Sequence, residues 1–205
     1  MRTGNNIRSI MVDKTGYLKW EEIEKVILAA KNNRDRVLLM TMAYTGRRIS
    51  EILPITPRNI LWDEESGIFT ILKKHKLKRK ELDGTITIID RKPDEQVLPI
   101  NTTLLSVLKK YIAINNIKED ERLFDITRKR VYQIVRKAGF DAGYKRVGRK
   151  WIHPHTFRHS FAIAYYKKTH DINRLSQLLK HADVNMTMTY SQFSQKDLRE
   201  GLDDL

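Results

Sequence analysis

Apolar residues recur at helical spacing in two parts of the chain, with a stretch of different pattern between them. Spacings of three and four residues, as in Ile23, Val26, Ile27 and Ala30, predict amphipathic helices. Helices are expected over residues 20–32, 34–45 and 49–53, and again over 102–115, 127–142, 155–168, 171–180, 185–191 and 194–205. Residues 1–17 carry no such pattern and are expected to form a lead-in to the domain.

The stretch between the two helical parts is rich in short β-branched segments. Strands are expected over residues 59–62, 68–72, 85–89 and 96–100, separated by polar and glycine-containing connections. One connection, Lys73 to Lys80, reads KKHKLKRK and predicts a long, very basic hairpin. The expected fold class is mainly α with a small antiparallel β-sheet (α+β), as a single domain over residues 18–193 with a C-terminal tail helix over 194–205.

The charge of the chain points to a polyanionic partner. The 39 lysines and arginines exceed the 25 acidic residues by 14, and a surface this basic attracts nucleic acid. The alternative is a solvated basic surface without a partner. The chain has no cysteine, and its apolar runs fall short of the roughly 20 residues of a membrane span. Residues 1–6 lack the apolar core of a secretory signal, so a cytoplasmic protein is expected.

Two pairs of polar residues have spacings suited to binding a phosphate. His155 and Arg158 are three residues apart and share a helix face, and a guanidinium matches phosphate oxygens. Arg47 and Arg48 follow Gly46, whose small size lets the backbone turn and present an arginine that Glu51 can hold by a charge-assisted bond. The alternatives are a surface His/Arg pair on an amphipathic helix and a helix cap followed by a surface ion pair.

A histidine and a tyrosine near the C-terminus could complete such a site. His181 follows the apolar run of Leu175, Leu178 and Leu179, and Tyr190 comes nine residues later. A tyrosine hydroxyl, with a pKa near about 10, becomes a nucleophile only where positive groups stabilise its anion or a base accepts its proton. The alternative is that Tyr190 is an ordinary half-buried tyrosine.

These motifs together resemble those of the tyrosine recombinases, the phage-integrase and Xer-like family. The family pattern has an arginine in TGxRxSE, a hairpin lysine, an HxxR box, an LGH box and a tyrosine nine residues beyond. This chain has TGRRISE at Thr45 to Glu51, HTFR at His155 to Arg158, LKH ending at His181, and Tyr190. The resemblance extends from about residue 17 to residue 194 and implies that residues 18–193 form a catalytic domain.

The resemblance implies a role for each matching residue. Arg48 and Arg158 would clamp the scissile phosphate, His155 and His181 would bond its oxygens, and Tyr190 would form a 3′-phosphotyrosyl link. Lys74 is the best match for the lysine that protonates the leaving oxygen, with Lys73 and Lys76 as alternatives. Glu51 would support Arg48, and the further candidates for DNA contact are Lys73, Lys76, Lys78, Arg79, Lys80 and Lys180.

The same resemblance also implies which cofactors and partners to expect. The covalent link conserves the phosphodiester energy, so neither ATP nor a metal is expected, and the sequence has no acidic cluster of a two-metal nuclease. The expected partner is double-stranded DNA, bound by a tetramer on paired sites and by a monomer when free, in a cytoplasmic, nucleoid-associated protein encoded by a virus, plasmid or prokaryotic chromosome.

Three departures from the family bear on function. The hairpin from Lys73 to Val97 is longer than the family pattern needs, which leaves the choice of lysine open. Lys180 replaces the usual glycine before His181, and only about 17 residues precede the first matching helix, where the family normally has an N-terminal DNA-binding domain. The chain is therefore expected to be an excised catalytic domain or a minimal enzyme that binds DNA weakly and in a salt-sensitive way. The alternative functions are a DNA-binding module that no longer cuts and a type IB topoisomerase-like relaxing enzyme.

Overall fold

The computed structural model describes residues 17–62, 67–80, 86–148 and 150–179. Within them the chain forms two compact units. One is built from the described residues up to Gly46 and from Lys129 onward, and the other is Arg47–Arg128. The lead-in, the helix expected at 185–191 and the tail helix lie outside the described residues. In the described part of the chain, no helix has the length and apolar character needed to cross a membrane.

The first unit is a group of packed helices with one small hairpin. Its elements are α1 (Trp20–Leu28), α2 (Asn33–Thr45), α5 (Arg128–Asp141), β4 (Arg146–Val147), β5 (Lys150–Trp151), α6 (Pro154–Thr169) and α7 (Ile172–Leu179). Helix α6 packs against α1, α2 and α7, and its apolar side buries Phe157, Ala162 and Ile163. The amide of Leu18 donates to the Ser160 hydroxyl at 3.0 Å, which attaches the start of the described chain to α6.

The second unit contains the larger sheet and one long helix. Its elements are α3 (Ile49–Ile52), a 3-10 turn (Pro57–Asn59), β1 (Ile60–Trp62), β2 (Gly67–Lys80), β3 (Ile86–Ile100) and α4 (Thr102–Ile114). The sheet is antiparallel in the order β1-β2-β3. Phe69 of β2 and its register partner Leu98 of β3 are buried, as are Leu104 and Leu108 of α4. Asn101 caps α4 by accepting the Leu104 amide at 2.8 Å.

The predicted fold class, mainly α with a small antiparallel sheet, is confirmed, but the strand boundaries were wrong in the middle of the chain. The segments 73–80 and 90–95, expected as connections, belong to strands, so the two short strands expected at 85–89 and 96–100 are one strand, β3. Residues of opposite charge face each other in the register, as at Lys73↔Asp94 and Lys76↔Asp90. Both segments are mostly charged and lack the apolar alternation from which strands are recognised.

The pairing of β2 with β3 contains one irregularity, at Lys74. Lys73 pairs with Asp94 and His75 pairs with Arg91, so the single residue Lys74 lies opposite two, Lys92 and Pro93. This is the geometry of a β-bulge on β3, and proline is tolerated there because it has no amide hydrogen to donate to the ladder.

Two smaller boundaries also differ from expectation. Helix α1 ends at Leu28 rather than at residue 32, because Asn32 caps α2 by accepting the Asp35 amide at 2.8 Å. The β4–β5 hairpin was not predicted, since each of its strands has only two residues and its turn depends on Gly148 at φ 60°.

Candidate functional site

Helix α6 begins immediately before the residues of the HxxR motif. His153 is the extended N-cap residue, Pro154 occupies the first helical position, and the Thr156 hydroxyl accepts the His153 amide at 3.2 Å. Proline suits this position because its ring presets φ and its missing amide hydrogen would have no partner there. His155 and Arg158 therefore lie in the first two turns of the helix.

Arg158 is a buried residue that joins three segments of the first unit. It is 3% exposed, and its Nη1 and Nη2 each donate at 2.8 Å, to the carbonyl oxygens of Gly46 and Leu179 respectively. Those carbonyls lie at the C-terminal ends of α2 and α7, where the helix dipole favours a positive charge. A pair of solvated surface residues is therefore the wrong interpretation for Arg158.

Gly46 is required at its position for two reasons. Its backbone is left-handed, with φ 59°, and a Cβ atom there would lie 2.3 Å from Cδ1 of Phe161. Any other residue would strain the backbone and displace the Phe161 ring. The glycine thus lets α2 end close to α6, where its carbonyl can accept the hydrogen bond from Arg158.

Three histidines lie close together at the start of α6. The ring centroids of His153 and His155 are 6.1 Å apart, and those of His155 and His159 are 6.4 Å apart. Burial, together with the positive charges of His155, His153, Arg158 and Lys150, lowers the pKa of His159 to about 4. Among the described residues, no three His, Asp or Glu side chains are placed to hold a metal ion.

His153 and His159 were not recognised from the sequence as part of this region. Burial lowers the pKa of His153, and the hydrogen bond between its ring and the Trp151 carbonyl, at 3.1 Å, opposes the shift. The i, i+4 spacing of His155 and His159 was the available signal, because residues with that spacing adjoin on a helix surface. The lowered pKa values favour the neutral forms of His153 and His159 near pH 7.

The TGRR segment presents two arginines with different environments in the second unit. Glu51 accepts the Arg48 amide at 3.1 Å and contacts Nη1 of Arg48 at 3.3 Å and Nη1 of Arg47 at 3.8 Å. The Arg47 side chain is 1% exposed and that of Arg48 is 35% exposed. Burial lowers the pKa of Arg47, and Glu51 opposes that shift. Arg48 is thus the arginine of this pair that a ligand can reach, with Glu51 holding it.

The remaining predicted residues are placed only in part. The basic residues Lys73, Lys74, Lys76, Lys78, Arg79 and Lys80 all lie in β2, with Lys74 at the bulge. Lys180, His181 and Tyr190 lie outside the described residues. Leu179, whose carbonyl accepts from Arg158, directly precedes Lys180 in the sequence. The structure brings His155 and Arg158 together in the first unit, while Arg48, Glu51 and the lysines belong to the second.

Comparison with known proteins gives a consistent set of relatives. The chain is 26% identical over 191 residues to the tyrosine recombinase XerA of Pyrococcus horikoshii, covering 89% of this chain and 59% of that protein. It is 30% identical over 186 residues to the probable integrase/recombinase YoeC of Bacillus subtilis, covering 84% of each. The chain spans little more than half the length of the XerA and XerD relatives, with 59%, 52% and 54% of three of them covered.

Solved structures share the fold. The XerH site-specific recombinase bound to palindromic difH substrate superposes with a TM-score of 0.69 at 23% identity, covering 91% of this chain and 52% of that one. The crystal structure of XerA recombinase gives a TM-score of 0.68 at 22% identity, covering 98% and 66%. The family model described as the phage integrase family matches residues 17–196, which include every motif discussed above. The chain therefore belongs to the phage integrase family.

Proposed function

We propose that this chain is the catalytic domain of a tyrosine-type site-specific DNA recombinase. It cuts and rejoins double-stranded DNA through a covalent 3′-phosphotyrosyl intermediate. The observation that carries the proposal is the family match over residues 17–196, because that range contains Arg48, Lys74, His155, Arg158, His181 and Tyr190 in the family's order. The names of the relatives, tyrosine recombinases XerA and XerD, support the same reaction.

The two arginines are assigned to the scissile phosphate. Charge develops on the phosphate oxygens as the fifth bond forms, and positioned guanidinium donors stabilise that charge. Arg158 suits this role because two carbonyls already fix its guanidinium, so little entropy remains to be lost when a phosphate binds. Arg48 suits it because its side chain is accessible while Glu51 holds it.

The proposed step is an in-line displacement at phosphorus. The Tyr190 oxygen forms a bond to phosphorus, and the bond from phosphorus to the 5′ oxygen breaks. The Tyr190 proton passes to a base, for which His155 is the candidate, and Lys74 protonates the departing 5′ oxygen. His155 and His181 donate hydrogen bonds to the phosphate oxygens. Attack by a 5′-hydroxyl reverses the step and joins the strands, so the energy of the phosphodiester is conserved without ATP.

The proposed partner is double-stranded DNA. The protein is proposed to be a monomer when free and a tetramer when bound to paired DNA sites. The charge of +14 supports the first part, since a surface this basic attracts a polyanion. Among the basic residues proposed to contact DNA are Lys73, Lys76, Lys78, Arg79, Lys80 and Lys180.

The test is covalent trapping on nicked duplex DNA. The protein is incubated with a suicide substrate in EDTA, and a band shifted by covalent DNA is sought after denaturing electrophoresis. The matched control is Tyr190→Phe, which removes the nucleophilic oxygen and keeps the ring. We expect a shifted band with the wild-type protein and none with the variant.

Two other results would redirect the proposal. A shifted band that survives in Tyr190→Phe would show that another residue is the nucleophile. Duplex binding with no covalent product on any substrate, from either protein, would indicate a non-cleaving DNA-binding module of the same fold.

A further inference from the structure

A basic and aromatic surface lies on the first unit, beside the start of α6. Trp151 is 47% exposed, and the guanidinium carbons of Arg136 and Arg146 lie over its ring at 5.5 Å and 4.9 Å from the centroid. Phe140 is 56% exposed, with Nζ of Lys145 at 4.4 Å from its ring centroid. We call these five residues the Trp151 patch. Arg136 and Phe140 lie in the second half of α5, Lys145 lies in the connection before β4, and Arg146 and Trp151 lie in the β4–β5 hairpin.

The patch is held rigidly by the packing beneath it. Ile152 is fully buried, and a Cβ atom on Gly139 would lie 2.6 Å from its Cγ2 atom, so helix α5 and the end of the hairpin are in close contact. The Tyr144 amide donates to the Gly139 carbonyl at 2.7 Å. Trp151 and Arg146 are cross-strand partners in the hairpin register. The helix and hairpin that carry Arg136, Arg146 and Trp151 are thus packed closely against each other.

The positive charge of the patch is not neutralised by carboxylates. Residues 128–151 include nine lysines and arginines and one acidic residue, Asp141, which binds Lys137 at 2.7 Å. Among the described residues, neither Arg136 nor Arg146 forms an ion pair with a carboxylate, and each is instead held by the indole ring. A guanidinium stacked on a ring keeps its N–H edges available for acceptor oxygens.

These features select phosphate oxygens as the ligand. Guanidinium groups already lie over the Trp151 ring, so that ring is less suited to stacking an unpaired base than the open aromatic platforms of single-strand binders. The patch also adjoins the candidate site, because the His153 ring bonds the Trp151 carbonyl at 3.1 Å and α6 begins at Pro154. Trp151 and His155 are four positions apart, a span of at most about 14 Å and thus about four base pairs of duplex.

We propose that the Trp151 patch is a second DNA contact, which binds the phosphate backbone of the duplex a few base pairs from the phosphate held at α6. The proposal rests on the proposed function, since it assumes that the duplex passes the start of α6. Contacts to phosphates fix the position of the protein on DNA without reading its sequence. The patch therefore contributes affinity and salt dependence rather than site preference.

The test is the salt dependence of duplex binding. Arg136→Gln/Arg146→Gln is compared with wild type on two unrelated 30-base-pair duplexes, by fluorescence anisotropy between 50 and 200 mM KCl. Two lost phosphate contacts should reduce the slope of log K against log salt by about 2, so the affinity should change about tenfold less over this range. The control Lys110→Gln/Lys168→Gln removes two exposed charges from α4 and α6 and should leave the slope near that of wild type.

A third variant distinguishes the contribution of the Trp151 ring from that of the arginine charges. Trp151→Leu keeps every cation but removes the surface that holds Arg136 and Arg146, and it should weaken binding several-fold on both duplexes. Circular dichroism confirms that each variant is folded.

The outcomes distinguish this proposal from the proposed function. An unchanged slope in Arg136→Gln/Arg146→Gln, or an equal loss in the control, would overturn the patch as a DNA contact. A loss on only one of the two duplexes would also overturn it, because that result indicates base reading. The covalent trapping assay on the wild-type protein tests the proposed function independently of these slopes.

Discussion

At the scale of single residues, the two arginines proposed for the phosphate differ in how they are held. Arg158 is buried and donates to two carbonyls, whereas Arg48 is accessible and contacts Glu51. A buried guanidinium that ties helix ends together contributes to stability as well as to chemistry. An accessible one contributes mainly to chemistry, because solvent screens its ion pair. Conservative substitution should separate these two cases.

Arg158→Lys should lower both stability and activity. Lysine has one nitrogen and cannot reproduce the forked geometry, so the carbonyl of Gly46 or of Leu179 loses its donor. The expected loss in the free energy of unfolding is about 2 kcal/mol, measured by urea denaturation. The rate of covalent trapping should fall by about 100-fold or more, because a positioned donor to the phosphate is lost as well.

Arg48→Lys is the matched comparison. Its free energy of unfolding should stay within about 0.5 kcal/mol of wild type, as for most surface changes, while trapping falls by a similar factor. Wild-type stability in Arg158→Lys would show that the two carbonyl bonds contribute little. Full activity in Arg48→Lys would remove Arg48 from the proposed site.

His159 should make stability depend on pH in the acidic range. Its pKa is about 4 in the folded chain and 6.5 in the unfolded chain, so between these values the unfolded chain binds more protons. Its contribution to stability is therefore present above pH 6.5 and is lost as pH falls toward 4. Urea denaturation across this range should show a steeper decline for wild type than for His159→Gln.

The control for this titration is His170→Asn. His170 is exposed and caps α6 in a left-handed conformation, φ 53°, which asparagine also adopts. This variant removes a different, exposed histidine and leaves His159 in place. Equal slopes for wild type and His159→Gln would show that His159 does not carry the effect.

At the scale of elements, the helices were predicted well and the long strands were not. Helices α2, α4 and α5 lie within one residue of expectation at each end. Asn32 and Gly46 cap α2, and Asn101 caps α4. Residues 73–80 of β2 and 90–95 of β3 escaped prediction because they are mostly charged and lack the apolar alternation from which strands are recognised. The pairing between the two segments is not visible in either one alone.

The candidate site shows a similar division. Motif spacing identified His155, Arg158 and Arg48 as candidates, since each is a polar residue in a distinctive local pattern. It could not show that Arg158 is buried beneath two carbonyls or that Arg47 is the buried member of its pair. Those facts depend on helices brought together by folding. Because these arginines are buried, substituting either one is expected to remove packing as well as charge.

Lys74, which lies opposite the bulge, is the residue proposed to protonate the 5′ oxygen, and substitution can test this role. If Lys74 protonates the 5′ oxygen, Lys74→Ala should slow cleavage of ordinary DNA by about 10²- to 10⁴-fold. A substrate with sulfur in place of the bridging 5′ oxygen should restore most of that rate, because a thiol, with a pKa of about 8.5, leaves without a proton. Rates of covalent trapping on the two substrates are the measurement.

Lys73→Ala and Lys76→Ala are the controls, since these residues occupy paired register positions on either side of the bulge. They should slow trapping less and gain no specific benefit from sulfur. Rescue of either one instead of Lys74→Ala would transfer the role to that lysine.

At the scale of the whole molecule, the excess of 14 positive charges bears on the proposed binding of DNA. A basic protein that contacts phosphates releases counterions from duplex of any sequence, and the logarithm of its binding constant falls linearly with the logarithm of salt concentration. The Trp151 patch and the basic strand β2 belong to different units, so each unit carries basic residues of its own. Affinity is therefore expected to come from many phosphate contacts rather than from one specific group.

The isolated chain should accordingly bind unrelated 30-base-pair duplexes with similar dissociation constants, about 10⁻⁴ to 10⁻⁶ M at physiological salt. Binding should weaken steeply between 50 and 200 mM KCl and should not change on addition of EDTA. Tyr190→Phe is the control, because removing a neutral hydroxyl leaves the net charge, and hence the salt slope, the same. A slope near zero, or a preference above about tenfold between unrelated duplexes, would contradict binding through phosphates, because only contacts to base edges or to a deformable sequence create such a preference. Loss of binding in EDTA would instead indicate that a divalent cation bridges the protein and the DNA.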